Sequence, residues 1–390
     1  MPARNQRFSL AWRLLSFEPR RLLAAICGVA FAVVLILVQI GFYNAMIDSA
    51  TKVHSSLEAD LVMLPADFEY FGAEHQFSRM RLHEAMATEG VQEVAPLYVS
   101  LMNFKNIENG YSRSIMAIGV EPDKPAINLP ELVAAQDQFA VSGAVLFDRK
   151  SLPAYFGDIT GAFAKTGHVD TQLADKPVRI TGLFDMGTSF IAYGTVVMGS
   201  PTFFALRPDL SAAEPSLGLI KLAPGYDPAT VRDRLQADLE AKDIKIVTRA
   251  DFVALEANYW NTTAAIGFIF ITGALMGILV GSVIVYQILY TDVTDHLPEY
   301  ATLKAMGYRD SYFSALVLKQ SLILSCLGYV PGVAISALIY YFTAQSTGYA
   351  LRLTPGWSLA VFLMTSGMCL FSGILALRRL RKADPAELFQ

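Results

Sequence analysis

The stretch Leu22–Phe42, LLAAICGVAFAVVLILVQIGF, contains no charged residue, and its reading decides the fold class. An α-helix needs roughly 20 apolar residues to cross the hydrocarbon core of a bilayer, and this run supplies them. Arg20 and Arg21 precede it, as basic residues also precede a cleaved secretory leader. The run is longer than a leader's apolar segment of about 7–15 residues, and no clear A-x-A site follows. It reads as a retained membrane helix, assigned to residues 22–47.

Working outward, three more segments lack charge for long enough to span: 261–290, 312–343 and 355–377. Lys319 is the only charged residue within these bounds, and Gln39, Gln287 and Gln320 are the main large polar ones. The composition agrees. The chain has 390 residues, 53% of them hydrophobic and 17% charged, with a mean hydropathy of +0.39. An ordinary soluble domain is about one quarter charged, so the lipid bilayer is the natural solvent for part of this chain. The fold class is a membrane protein: four transmembrane α-helices with an α+β domain inserted between helices 1 and 2.

The net charge of −4 averages two unlike regions. Residues 46–262 carry about ten more acids than bases, and the remainder about six more bases than acids. No basic domain face results, which argues against nucleic-acid binding. Arg4, Arg7, Arg13, Arg20 and Arg21 precede the first span, and Arg378, Arg379, Arg381 and Lys382 follow the fourth. The positive-inside rule then places both termini in the cytoplasm. This gives a cytoplasmic segment at 1–21, an external domain at 48–260, a cytoplasmic loop at 291–311, a short external loop at 344–354 and a cytoplasmic tail at 378–390.

Gly273, Gly277 and Gly281 form a stripe of small residues on one face of the second span, and Ala24, Gly28 and Ala32 repeat the spacing in the first. Small residues at every fourth position let helix backbones approach closely in lipid, so the stripe is expected to pack against a helix not identified by sequence. Pro331-Gly332 is expected to kink the third span. Secondary transporters need buried carboxylates, histidines or broken helices near the midplane, and these spans contain no such relay.

In the external domain, alternating or apolar runs predict strands near 60–64, 94–104, 113–120, 144–147, 177–184, 194–198, 217–222 and 244–248. Helices are expected at 79–89 and 228–241. In the second, Asp227 stands as the cap, Pro228 at the first turn, and Val231, Leu235 and Leu239 along one face. The texture is that of an α+β domain with room for two lobes. Little in it suggests chemistry. His54, His75, His83 and His168 are scattered without the pairing of a metal site, and no GxSxG elbow has its context. No catalytic residue and no metal ligand is assigned. No P-loop of the form GxxxxGK(S/T) occurs, so ATP is not bound by that route. Cys27, Cys326 and Cys369 all fall in apolar stretches, which excludes a disulfide framework in the external domain and favours small buried hydrophobes.

The cytoplasmic loop reads TDVTDHLPEYATLKAMGYRDSYF from Thr291 to Phe313. Pro298 at a first turn, the helix formers Glu299 to Met306 and Gly307 as a C-cap predict a short helix. Leu297, Tyr300, Leu303 and Met306 recur at three-residue intervals and give it one apolar side. Such a helix suits docking on a cytoplasmic protein; its acidic flank of Asp292, Asp295 and Glu299 disfavours anionic lipid. In the tail, Asp384 can cap a helix start, with Pro385 at its first turn and Glu387 closing a capping box.

EYATLKAMGY, Glu299–Tyr308, resembles the coupling segment of the FtsX/MacB-like permeases of ABC transporters, and DHLPEYATLKAMGY, Asp295–Tyr308, resembles the DevC-like subfamily. RRLRKADPAELF, Arg378–Phe389, resembles that subfamily's basic tail, and LAWRLLSFEPRRLLAA, Leu10–Ala25, its amphipathic helix ahead of the membrane. The resemblance implies a homodimeric permease of an exporter, multi-pass in the inner membrane of a Gram-negative-type bacterium or cyanobacterium. It further implies an ABC ATPase subunit carrying ATP and magnesium, a periplasmic membrane-fusion adaptor and an outer-membrane TolC-like channel. This chain itself would hold no cofactor and would not be an enzyme. On this reading Leu297, Glu299, Tyr300, Leu303, Lys304, Met306, Gly307 and Tyr308 form the ATPase-coupling site, with Asp384, Pro385 and Glu387 as a second contact. ATP-driven movement would be passed to the external domain as mechanotransmission, in efflux of a lipid, glycolipid or other hydrophobic substrate. Two other readings fit less of the sequence: an ATPase-driven regulator of periplasmic proteins without export, and a sensor, whose tail is too short for a signalling domain.

Overall fold

The computed structural model describes residues 11–380 except 14, 125, 188, 190, 240–241, 299–301, 304–305 and 350. The chain divides into two compact units. One takes residues 1–44, 267–344 and 351–390, and the other takes 45–266 together with 345–350.

Among its described residues the first unit has four helices long and apolar enough to cross a membrane: Pro19–Ala50, Ile266–Asp295, Asp310–Thr347 and Pro355–Leu380. Each runs past the charge-free bounds expected for it, because backbone hydrogen bonding continues after the apolar run ends. The second span starts at Ile266 rather than 261, since Tyr259–Thr263 is wound as a separate π-turn. It continues to Asp295, so the helix carries Asp292 and Asp295 beyond the charge-free run that ends at 290.

The glycine stripe packs on the first span. A side chain at Gly273 would meet Gln39, one at Gly277 would meet Leu35 and Ile36, and one at Gly281 would meet Ala32 and Met368. Gly328 and Gly332 of the third span lie against Val29 and Val33 of the first. Hydrogen bonds between the spans add to this close packing. Tyr340 donates to the Leu37 carbonyl, Tyr329 to the Ser358 carbonyl at 2.7 Å, and Ser372 to the Ser282 carbonyl at 2.9 Å. Cys369 is buried, but Cys27 and Cys326 point outward, so only one of the three is a buried hydrophobe.

Among the described residues the second unit holds nine strands: β1 (Leu61–Pro65), β2 (Val91–Lys105), β3 (Ser112–Val120), β4 (Ala144–Asp148), β5 (Val169–Leu173), β6 (Lys176–Phe184), β7 (Thr195–Gly199), β8 (Leu217–Leu222) and β9 (Ile244–Thr248). Their order is β3-β7-β4-β6-β5-β2-β8-β1-β9, with β2 paired to β3 as well. The long β2 therefore serves two lobes. Its second half closes a ring with β3, β7, β4, β6 and β5, the last joint being the single pair Phe104–Leu173. Tyr98, Phe104, Phe147, Phe156 and Phe203 fill that lobe's core.

The first half of β2 joins β8, β1 and β9 in an antiparallel sheet buried on both faces. Side chains alternate across a strand. Leu61 and Met63 accordingly enter one cluster with Leu82, Val231 and Leu235, while Val62 and Leu64 enter another with Val53, Leu57 and Phe252. The helix Pro228–Asp238 is capped by Asp227, which accepts from the Thr230 amide at 2.9 Å, as its sequence predicts.

Candidate functional site

Of the eight residues proposed for coupling, Leu297, Leu303, Met306, Gly307 and Tyr308 are described; Glu299, Tyr300 and Lys304 lie outside the described residues, as do Asp384, Pro385 and Glu387. The segment follows the second span directly. The Thr302 hydroxyl donates to the Pro298 carbonyl at 2.9 Å, and the Met306 amide to the Thr302 carbonyl at 3.1 Å. Gly307 has φ +93°, a left-handed conformation that glycine adopts without a Cβ penalty, and it ends the helical turn as the C-cap reading expects. The chain then turns, with the Tyr308 amide donating to the Leu303 carbonyl at 3.2 Å.

Leu303 and Met306 do not share one face. Leu303 is half-buried against a cluster formed by Ala11, Val293, Phe313, Leu316, Val317 and Leu377. Met306 points outward with 63% of its surface exposed, and Tyr308 with 42%. The three-residue spacing rotates each successive side chain about 60° short of a full turn, so a row drifts around the helix rather than holding one side. Leu303 thus anchors the segment, and Met306 and Tyr308 present it.

Polar contacts fix the root of the segment, and the sequence reading missed them. Gln320, fully buried in the third span, donates to Asp292 at 3.0 Å. His296 approaches the other oxygen of Asp292 at 3.9 Å. Arg21, at the start of the first span, pairs with Asp295 at 2.8 Å and with Glu18 at 2.9 Å. Three spans are thereby tied to the beginning of the coupling segment. A carboxylate at a helix end looks solvated in sequence; only the helix register shows that Asp292 turns inward beside Gln320.

Elsewhere the histidines have local roles. His75 lies 3.2 Å from Asp67, the His168 ring contacts the Thr166 carbonyl, and His54 is buried beside Glu256. Among the described residues no group of three or more potential ligands is gathered for a metal ion.

Two family models match the chain. The MacB-like periplasmic core domain covers residues 22–238, and the FtsX-like permease C-terminal domain covers 271–385. The chain is 22% identical over 309 residues to the macrolide export ATP-binding/permease protein MacB of Agrobacterium fabrum, covering 76% of this chain and 46% of that protein. It is 30% identical over 112 residues to the protein of the same name from Hyphomonas neptunium, covering 29% of this chain and 17% of that one. The chain therefore spans about half, or less, of the length of these curated relatives. Among solved structures, the periplasmic region of MacB from Actinobacillus actinomycetemcomitans aligns with 53% of the chain and 94% of its own, at 10% identity and a TM-score of 0.33.

Proposed function

The chain belongs to the FtsX/MacB-like superfamily of ABC transporter permeases, and from that premise we propose that it is the permease subunit of an exporter driven by an ATPase carried on a separate chain. The ATPase would bind ATP and magnesium and dock on the segment Leu297–Tyr308. The permease would work as a homodimer in the inner membrane, with both termini cytoplasmic. It would pass nucleotide-driven movement to the external domain, in company with a periplasmic adaptor and a TolC-like channel. The export of a lipid, glycolipid or other hydrophobic substrate, and the DevC-like branch of the superfamily, belong to the same proposal.

One observation carries this reading: an exposed Met306–Tyr308 tip stands on a root immobilised by Leu303, Asp292 and Asp295. A mobile tip would dissipate movement, whereas one braced on three spans transmits it. The sequence contains no ATP-binding motif and no polar relay at mid-membrane, in keeping with force transfer rather than conduction through the helices.

Co-purification tests the docking. Met306→Asp places a charge on the exposed tip without touching the core and is expected to abolish recovery of the ATPase with the permease. The permease itself should keep its yield and thermal stability. Leu303→Asp should instead lower the stability of the permease, because a charge would enter the cluster around Phe313. Full ATPase recovery with Met306→Asp refutes the docking assignment.

A further inference from the structure

The helix Lys52–Ser56 follows the first span after a one-residue gap at Thr51, and the helix Arg249–Asn258 leads towards the second span. They meet inside the external unit at two side chains with no solvent exposure, His54 and Glu256. The His54 Nε2 lies 3.3 Å from Glu256 Oε2. The same carboxylate accepts from the Phe71 amide at 2.9 Å and from the Trp260 indole Nε1 at 2.8 Å. Phe252 and Phe71 enclose the imidazole, at ring separations of 4.3 and 5.0 Å. Neither ring nitrogen of His54 makes a hydrogen bond of good geometry, so the pair is a close approach and not a saturated network. An apolar pair of the same volume would hold two helices together at least as well. Stability alone therefore does not explain these side chains.

Directly after this contact the helix changes form. Tyr259–Thr263 winds as a π-turn, Ala265 has φ +55°, and the α-helix restarts at Ile266. Left-handed backbone is unfavourable for a residue with a Cβ, and π-turns concentrate at functional positions. The sequence YWNTTAA over Tyr259–Ala265 contains neither glycine nor proline, so nothing local dictates a break. What holds it are side-chain contacts, one to the preceding turn and two to Tyr70. Trp260 bonds to Glu256, and Tyr70 stacks on Tyr259 at 4.7 Å and meets Trp260 edge-on at 5.8 Å.

We propose that His54, Glu256 and Trp260 form a latch, and that Tyr259–Ala265 is a two-state hinge which the latch holds broken. Released, the segment winds into α-helix, so that Arg249–Asn258 runs without interruption into the second span. This element would let movement of a membrane helix alter the base of the external domain. That use rests on the mechanical reading above, but the existence of the two states does not.

Residue-resolved hydrogen exchange on the full chain in phosphatidylcholine nanodiscs tests it, without any ATPase. Trp260→Phe keeps the ring and removes the donor; His54→Gln removes the imidazole. The Ala264 and Ala265 amides already donate to the Tyr259 and Thr262 carbonyls, at 2.9 and 3.3 Å, so the Ile266 amide is the reporter: each variant is expected to slow its exchange about tenfold as it enters an α-helical hydrogen bond. Ala265→Gly, which eases the left-handed conformation, should favour the broken state and return the Trp260→Phe variant towards wild type. Unchanged exchange overturns the proposal. So does faster exchange throughout 249–266, the signature of a merely structural contact, and so does a failure of Ala265→Gly to reverse the effect. Because the readout belongs to this chain alone, the latch can fail while ATPase docking stands, and docking can fail while the latch stands.

Discussion

Leu303 and Met306 are three residues apart and both apolar, yet one is turned towards Phe313 and Leu377 while the other faces water. Burial, not residue type, separates anchor from contact. The same lesson holds for charge in the external domain. Arg207 reaches Glu74 at 2.9 Å and Asp209 at 2.7 Å and also donates to Ser100 of β2, tying the end of one helix to a loop and a strand. The hydrogen bonds from Arg207 hold both carboxyl groups below their ordinary values of 4.5 and 3.8. A carboxylate whose folded value is depressed contributes stability above its unfolded value and loses it as pH falls through the folded one. Arg207→Ala should therefore lower the melting temperature at pH 7. The gap to wild type should narrow progressively below about pH 4.5, where the unfolded chain begins to take up protons first. A gap of constant size from pH 7 to pH 3 would show that Arg207 acts by packing alone.

At the scale of elements, the glycine stripe makes the sharpest demand. A Cβ on Gly277 would stand 3.1 Å from Leu35 and 3.2 Å from Ile36, tight enough that a neighbour must shift slightly. Gly277→Ala should be tolerated, whereas Gly277→Leu should cost about 1–3 kcal/mol by overpacking. Thermal unfolding in detergent would register the difference, and equal stability of the two variants would contradict the packing of the second span on the first. The stripe was legible because its period of four is regular, but the helix it packs on was not, since any span could have offered small residues. Eight of the nine strands follow from alternation and apolar runs. The ninth, β5, does not, because VDTQL is mostly polar and its turn to β6 is made by Ala174-Asp175, at φ +48° and +60°. Such turns are expected to carry glycine or asparagine, so nothing in the sequence announces this hairpin. The helix Arg249–Asn258 was missed for another reason. Its cap, Thr248 accepting from the Asp251 amide, sits on the last residue of a strand, and the strand pattern obscures it. In the coupling segment the helical turn that ends at Met306 and its Gly307 stop were readable from local preference. The inward turn of Asp292 to Gln320 depends on contact between spans and has no local signal.

For the whole molecule, the distribution of charge constrains what can lie on each side of the membrane. The region between the first two spans is strongly acidic, while arginine and lysine gather before the first span and after the fourth. Lys and Arg near helix ends are retained on the cytoplasmic side, whereas acidic residues have little influence on orientation. The bias therefore comes from the two basic flanks, and they agree with each other only if the number of spans is even. Four spans satisfy this and place the acidic region opposite both flanks. Cysteine accessibility tests that orientation. In a variant lacking Cys27, Cys326 and Cys369, a cysteine replacing the exposed Lys165 should react with a membrane-impermeant maleimide in intact spheroplasts. One replacing the exposed Arg309 should react only after lysis. Reversed labelling would place Met306 and Tyr308 outside, beyond reach of any cytoplasmic ATPase, and the coupling proposal would fall with the topology.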